Sequence, residues 1–170
     1  MKTQGFTLIE LLIVMVLIGL MTGMAMLSMG NADRSKPLQL EAQRLSKLLL
    51  LAEQEAMIRG EGMAIELFQE GYRFLSWRQG QWQPETLDSL FKPRNLDAGI
   101  QLSFQLERES VYLNPRAGMT QQPRPQIVLA PDGGIEDLQI GIQAKNSETR
   151  YLVANSDQEG WRVANLESRP

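Results

Sequence analysis

Residues 5–29 read Gly5-Phe6-Thr7-Leu8-Ile9-Glu10-Leu11-Leu12-Ile13-Val14-Met15-Val16-Leu17-Ile18-Gly19-Leu20-Met21-Thr22-Gly23-Met24-Ala25-Met26-Leu27-Ser28-Met29. From Leu11 to Met29 no residue is charged, and only Gly19, Thr22, Gly23 and Ser28 interrupt the apolar side chains. A helix of that length spans a hydrocarbon core of about 30 Å. Glycine and threonine are tolerated in it because a helix satisfies its backbone groups internally. Two ordinary readings compete, a retained anchor and a secretory peptide removed at its far end. Removal needs an apolar stretch of roughly 7–15 residues and a small-x-small site. Here the run is longer, and the one candidate site, Gly23-Met24-Ala25, is followed by more apolar residues. The segment reads as an anchor.

Beyond it, Asn31 to Pro37 is a polar interruption, with Pro37 placed either in the first turn of a new helix or at a kink in a continuing one. Leu38, Ala42, Leu45, Leu49, Ala52 and Ala56 then recur at spacings of four and three, which marks one face of an amphipathic helix. Glu41, Arg44, Lys47 and Glu55 fall on its other faces, and Gly60-Glu61-Gly62 ends it. A continuous helix from Phe6 to Arg59 would run roughly 80 Å at about 1.5 Å per residue. That is too long for a compact domain, so half of it must lie in a membrane or a filament.

After Gly62 the apolar period changes to two. Met63–Phe68 and Tyr72–Trp77 flank Gln69-Glu70-Gly71 as a hairpin, and Gln79-Gly80 turns the chain into Trp82. Residues 84–96 read as a loop. Ile100–Leu106, Gln126–Ala130, Leu138–Ala144 and Arg150–Asn155 read as strands, with Gly160–Val163 a shorter one. The expected fold class is α+β, a long N-terminal helix packed by its C-terminal half on antiparallel β-sheet. The expected organisation is a leader over 1–5, a transmembrane helix over 6–29, an amphipathic connecting helix over 30–62 and a β-rich domain over 63–170.

Composition narrows the chemistry. Lys and Arg number 17 against 20 Asp and Glu, for a net charge of −3, so there is no broad basic surface for nucleic acid. Removal of residues 1–5 takes away Lys2 alone. The chain has no His and no Cys. A Ser-His-Asp triad, thiol catalysis, disulfides and Cys-based zinc sites are thereby excluded. Pro131-Asp132-Gly133-Gly134 reads as a β-turn, since it lacks the repeated oxygen ligands of a calcium loop. Glu107 and Glu109 flank Arg108 at the end of a strand as solvated charges, and Trp77, Trp82 and Trp161 belong to core or sheet edge. No catalytic residue, metal site or cofactor is expected.

The residues Gly5-Phe6-Thr7-Leu8-Ile9-Glu10 ahead of the charge-free run resemble the processing site of type IV prepilins and pseudopilins. The resemblance implies cleavage after Gly5 by a prepilin peptidase, N-methylation of Phe6, and a role for Glu10 in subunit assembly. It also places the leader in the cytoplasm and the domain in the periplasm, which the charges flanking the apolar run do not decide: Lys2 lies before it, Arg34 and Lys36 after it. Glu10 has its own physical interest. A carboxylate at mid-bilayer costs roughly 2.5–3.5 kcal/mol and usually has a partner. It either complements the helix macrodipole in the first turn or, as the resemblance implies, pairs with the N-terminal amine of a neighbouring subunit.

The C-terminal part is similar to the H-type minor pseudopilins of type II secretion. That likeness rests on the Leu/Ala-rich helix through Glu55-Ala56, the Gly71-Tyr72 hairpin, the Trp82–Leu96 loop, and Ile127-Val128-Leu129-Ala130-Pro131-Asp132-Gly133 before two more strands. It implies a non-catalytic subunit at or near the tip of a pseudopilus, with other pseudopilins, the prepilin peptidase and the inner membrane as partners. The alternative within the wider family is a minor type IV pilin of pilus assembly or DNA uptake, which would carry a basic stripe.

Overall fold

The computed structural model describes residues 7–32, 35–118, 122–132, 137–145, 150–156 and 160–166, with the side chains of all of these except 26–32 and 156. The N-terminal unit carries α1 (Leu8–Ala32), and the second unit begins at Leu38, within α2 (Ser35–Arg59).

Ten strands follow. One sheet contains β1 (Met63–Phe68), β2 (Gly71–Arg78), β3 (Gln81–Pro84), the two-residue β4 (Arg94–Asn95) and β7 (Ile127–Leu129), in the order β3-β2-β1-β7, with β4 also on β2. The other contains β5 (Ile100–Leu106), β6 (Glu109–Val111), β8 (Leu138–Ala144), β9 (Arg150–Ser156) and β10 (Gly160–Leu166), in the order β10-β9-β8-β5-β6. All pairings are antiparallel. The expected α+β class is therefore observed, with the antiparallel strands divided between two sheets. A backbone bond joins them: the Leu102 N–H donates to the Gln69 carbonyl at 2.9 Å.

Alternation decides the register. On β1, Met63, Ile65 and Leu67 pair with Ser76, Phe74 and Tyr72 on the face whose apolar residues enter the core. Leu102, Phe104, Ile140, Ile142, Tyr151 and Val153 form the matching face of the second sheet. The α2 stripe Leu38, Ala42, Leu45, Leu49, Ala52 and Ala56 joins the same core and is wholly buried. Each buried leucine or isoleucine there adds roughly 1.5–3 kcal/mol relative to exposure. Phe91, from a 3₁₀ turn (Ser89–Phe91), packs on Phe74 with ring centres 5.0 Å apart.

Two departures from the sequence reading concern charge and turns. Glu107 and Arg108 both adopt positive φ, and the chain folds back as β6 onto β5, so the charged triplet forms a hairpin. Glu41, read as lying on a polar helix face, is buried. Among the tryptophans, Trp161 is in the core, while Trp77 and Trp82 form an edge-on pair across β2 and β3, ring centres 5.0 Å apart.

Candidate assembly site

In α1 the 18-residue stretch Leu8–Ala25 has a mean hydropathy of 2.4 and none of it is buried. A helix apolar on every side either enters the core of a large protein or faces lipid or other helices. This one meets no core within its own unit. Glu10 is the acidic residue of its first turn. Its N–H donates to the Thr7 carbonyl at 3.1 Å, and its side chain is exposed. The carboxylate stands where the helix N-terminus favours negative charge. Thr22 directs its hydroxyl to the Ile18 carbonyl one turn back, at 2.6 Å, so its polar group is satisfied within the helix. Gly5 and Phe6 lie outside the described residues.

In the second unit the charge chemistry is internal. Glu41 accepts the Tyr72 hydroxyl at 2.9 Å and Arg94 Nη2 at 3.1 Å, which fixes α2 to β2 and β4. Those bonds raise the Arg94 pKa, and burial, with the charge of Glu41 next, pushes the Tyr72 hydroxyl far above its ordinary value. Glu66 accepts from Arg73 Nε at 2.7 Å and from the Arg124 N–H at 3.0 Å. Glu85 is wholly buried and receives the Ser76 hydroxyl, Arg78, Arg59 and the Leu87 N–H. Burial opposes its charge. The Ser76 hydroxyl, the Leu87 amide, Arg78 and the Asp88 amide outweigh that and hold its carboxyl below the usual range.

These three carboxylates are occupied by their partners and join elements together. A cleft of about 450 Å³, with Glu70, Asp97, Arg116 and Lys145 on its walls, includes none of them. Among the described residues no group of three or more acidic side chains converges as a metal site would require, and Asp132 is exposed. Gly133, Gly134 and Glu136 of the Pro131–Gly134 segment and its surroundings lie outside the described residues. The three buried acids escaped the sequence reading because a charged residue on a strand or helix is solvated by default. The one available signal was Glu66, set among the apolar residues of β1.

A lipid-length apolar helix with an acid at its start, followed by an α+β domain clamped on a second helix, defines a pilin-like class of anchored subunit. The chain belongs to the GspH family: the model for type II transport protein GspH matches residues 41–164, and the prokaryotic N-terminal methylation motif matches residues 1–26. It is 30% identical to the type II secretion system protein H of Pseudomonas aeruginosa, over 97% of this chain and 96% of that protein. Identity to the type II secretion system protein H of Aeromonas hydrophila is 26%, over 98% and 94%. The fold is shared with the minor pseudopilin EpsH from the type 2 secretion system of Vibrio cholerae, at a TM-score of 0.65 and 20% identity, covering 79% of this chain and 99% of that one.

Proposed function

We propose that this chain is a minor pseudopilin, a non-catalytic structural subunit at or near the tip of the type II secretion pseudopilus, helping to export folded proteins across the outer membrane. The observation that carries this reading is the unburied apolar helix with Glu10 in its first turn, joined to a domain of the GspH family. In this reading residues 1–5 are a leader, cleaved after Gly5, and Phe6 becomes the N-methylated terminus. Residues 6–29 span the inner membrane, residues 30–62 connect, and residues 63–170 form the periplasmic domain. Glu10 pairs with the N-terminal amine of a neighbouring pseudopilin, which exchanges the cost of a lone carboxylate in lipid for a paired one. The prepilin peptidase and the other major and minor pseudopilins are the partners.

The test is deletion of the gene followed by assay of secreted enzymes in the medium. Accumulation of folded enzymes in the periplasm supports the reading. Normal secretion with loss of twitching or of DNA uptake refutes it in favour of a minor pilin. Intact mass of the mature protein tests the processing site independently, the expected species beginning at a methylated Phe6.

A further inference from the structure

Along β8, Ile140 and Ile142 enter the core, so Gln139, Gly141 and Gln143 stand on the opposite face of the second sheet. Register sets Gln105, Ser103 and Gln101 of β5 on one side of them, and Ala154, Leu152 and Arg150 of β9 on the other. Beyond β9, Arg162 and Leu166 of β10 lie opposite Ala154 and Arg150. Leu166 is 45% exposed. None of these positions holds an acid. Arg150 crosses this face. Its Nη2 donates to Ser103 Oγ, two strands away, at 3.1 Å. A Cβ at Gly141, on the strand between, would stand 2.6 Å from Nη2 and 2.7 Å from Nε, so glycine leaves the guanidinium its seat. Nε is buried without an acceptor, and Arg150 forms no salt bridge among the described residues.

A buried donor without an acceptor costs free energy, so the fold alone gives this arginine little reason to lie where it does. A protein interface gives one. Interface centres are rich in Arg and poor in Lys, Asp and Glu, and Arg is prominent among the residues that dominate binding. A small ligand takes a concave site, whereas this is the open face of a sheet, with amides and partly exposed leucines around a seated cation. A guanidinium fixed beforehand also loses little freedom on pairing. Charge complementarity selects a carboxylate as its counterpart. We infer that Arg150, seated over Gly141, binds a carboxylate on the globular domain of an adjoining pseudopilin. This contact rests on the proposed role in a pseudopilus, which supplies adjoining subunits, and adds the chemistry that recognises one of them.

The test titrates the full chain in detergent against each of the other full-length pseudopilins, at low and at molar salt. With one of them, R150Q is expected to raise Kd about tenfold or more at a nearly unchanged melting temperature. G141A keeps the charge but unseats it, and should raise Kd about threefold. Q143E should match R150Q: Gln143 is exposed and opposite Arg150, so the new carboxylate occupies the guanidinium and repels an incoming acid. Q81E, the same change of charge at an exposed position on the first sheet, should bind like wild type. Molar salt should shrink these differences. A wild-type chain that binds no other pseudopilin refutes the pseudopilin reading itself. Binding that R150Q and Q143E leave intact, or that Q81E weakens equally, overturns only the role of Arg150. Loss of self-association in place of partner binding also overturns it, and assigns the face to a second copy. So does a melting temperature lowered alike by R150Q and by E148Q or E167Q, acids outside the described residues, since Arg150 then serves one of this chain's own carboxylates.

Discussion

Replacing Glu85 by Gln keeps the side-chain shape and removes one charge from a place closed to bulk solvent. The carboxylate is fully buried, and four donors from α2, β2 and the segment after β3 converge on it. Removing one partner from a buried ion pair costs about 3–5 kcal/mol when the orphaned charge stays buried. Here Arg78 and Arg59 keep 26% and 28% side-chain exposure, so both regain some water. The amide also still accepts one of the neutral donors. A loss of about 2–3 kcal/mol is therefore expected. At roughly 3–5 °C per kcal/mol for a domain of this size, melting falls by about 10 °C. The assay is thermal unfolding of the full chain in detergent, followed by circular dichroism at neutral pH and at steps into acid. Because the folded pKa of Glu85 is depressed, its stabilisation is complete above the unfolded value of about 4.3 and is lost as pH falls through the folded value. The gap between wild type and E85Q should close in acid. Equal melting at neutral pH, or a gap that persists undiminished into strong acid, refutes this account.

Three further outcomes follow from the same contacts. With its pKa raised, Tyr72 contributes stability below the unfolded phenol value of about 10 and loses it as pH rises further. In an alkaline absorbance titration one of the three tyrosines should ionise only with unfolding, and Y72F should remove that late phase while costing about 1–2 kcal/mol at neutral pH. An alanine methyl at Gly71 overlaps the Arg94 backbone carbonyl, whereas one at Gly141 meets the ends of the Ser103 and Arg150 side chains. G71A should cost about 2 kcal/mol or more and G141A about 1 kcal/mol or less in urea unfolding, an order that a reversed result would contradict. Glu10 lies in the first turn of α1 and is exposed, so E10A should melt like wild type yet fail to co-purify with other pseudopilins. Undiminished co-purification counts against its assembly role.

Where side-chain periodicity was unbroken, the elements were legible to the residue: Ile100–Leu106 and Leu138–Ala144 are read directly from their alternation and observed with those ends. The apolar helix and the α2 stripe were equally plain. Less was visible where tertiary pairing makes the element. β4 is two residues long and is a strand because Gly71 and Tyr72 accept it as a partner. β6 was hidden because its turn, Glu107-Arg108, holds positive φ without the Asn or Gly that usually announces such a turn. The division of the strands into two sheets was not legible, since alternation reports which face is buried and not which neighbour is paired. The same limit concealed Glu41, Glu66 and Glu85: their donors lie up to 58 residues away in sequence.

The attachments of α2 differ in one further respect from the hairpins they bind. β1 meets β2 and β8 meets β9 across short separations, whereas Tyr72 and Arg94 reach Glu41 over 31 and 53 residues, and Ser46 donates to the Trp161 carbonyl over 115. Local pairings close quickly, and contacts of large sequence separation wait on loop closure. The helix nearest the apolar segment is thus synthesised early and seated late. Its flank beside Ser46 stays open until β10 has been delivered, so a nascent chain short of Trp161 lacks that attachment.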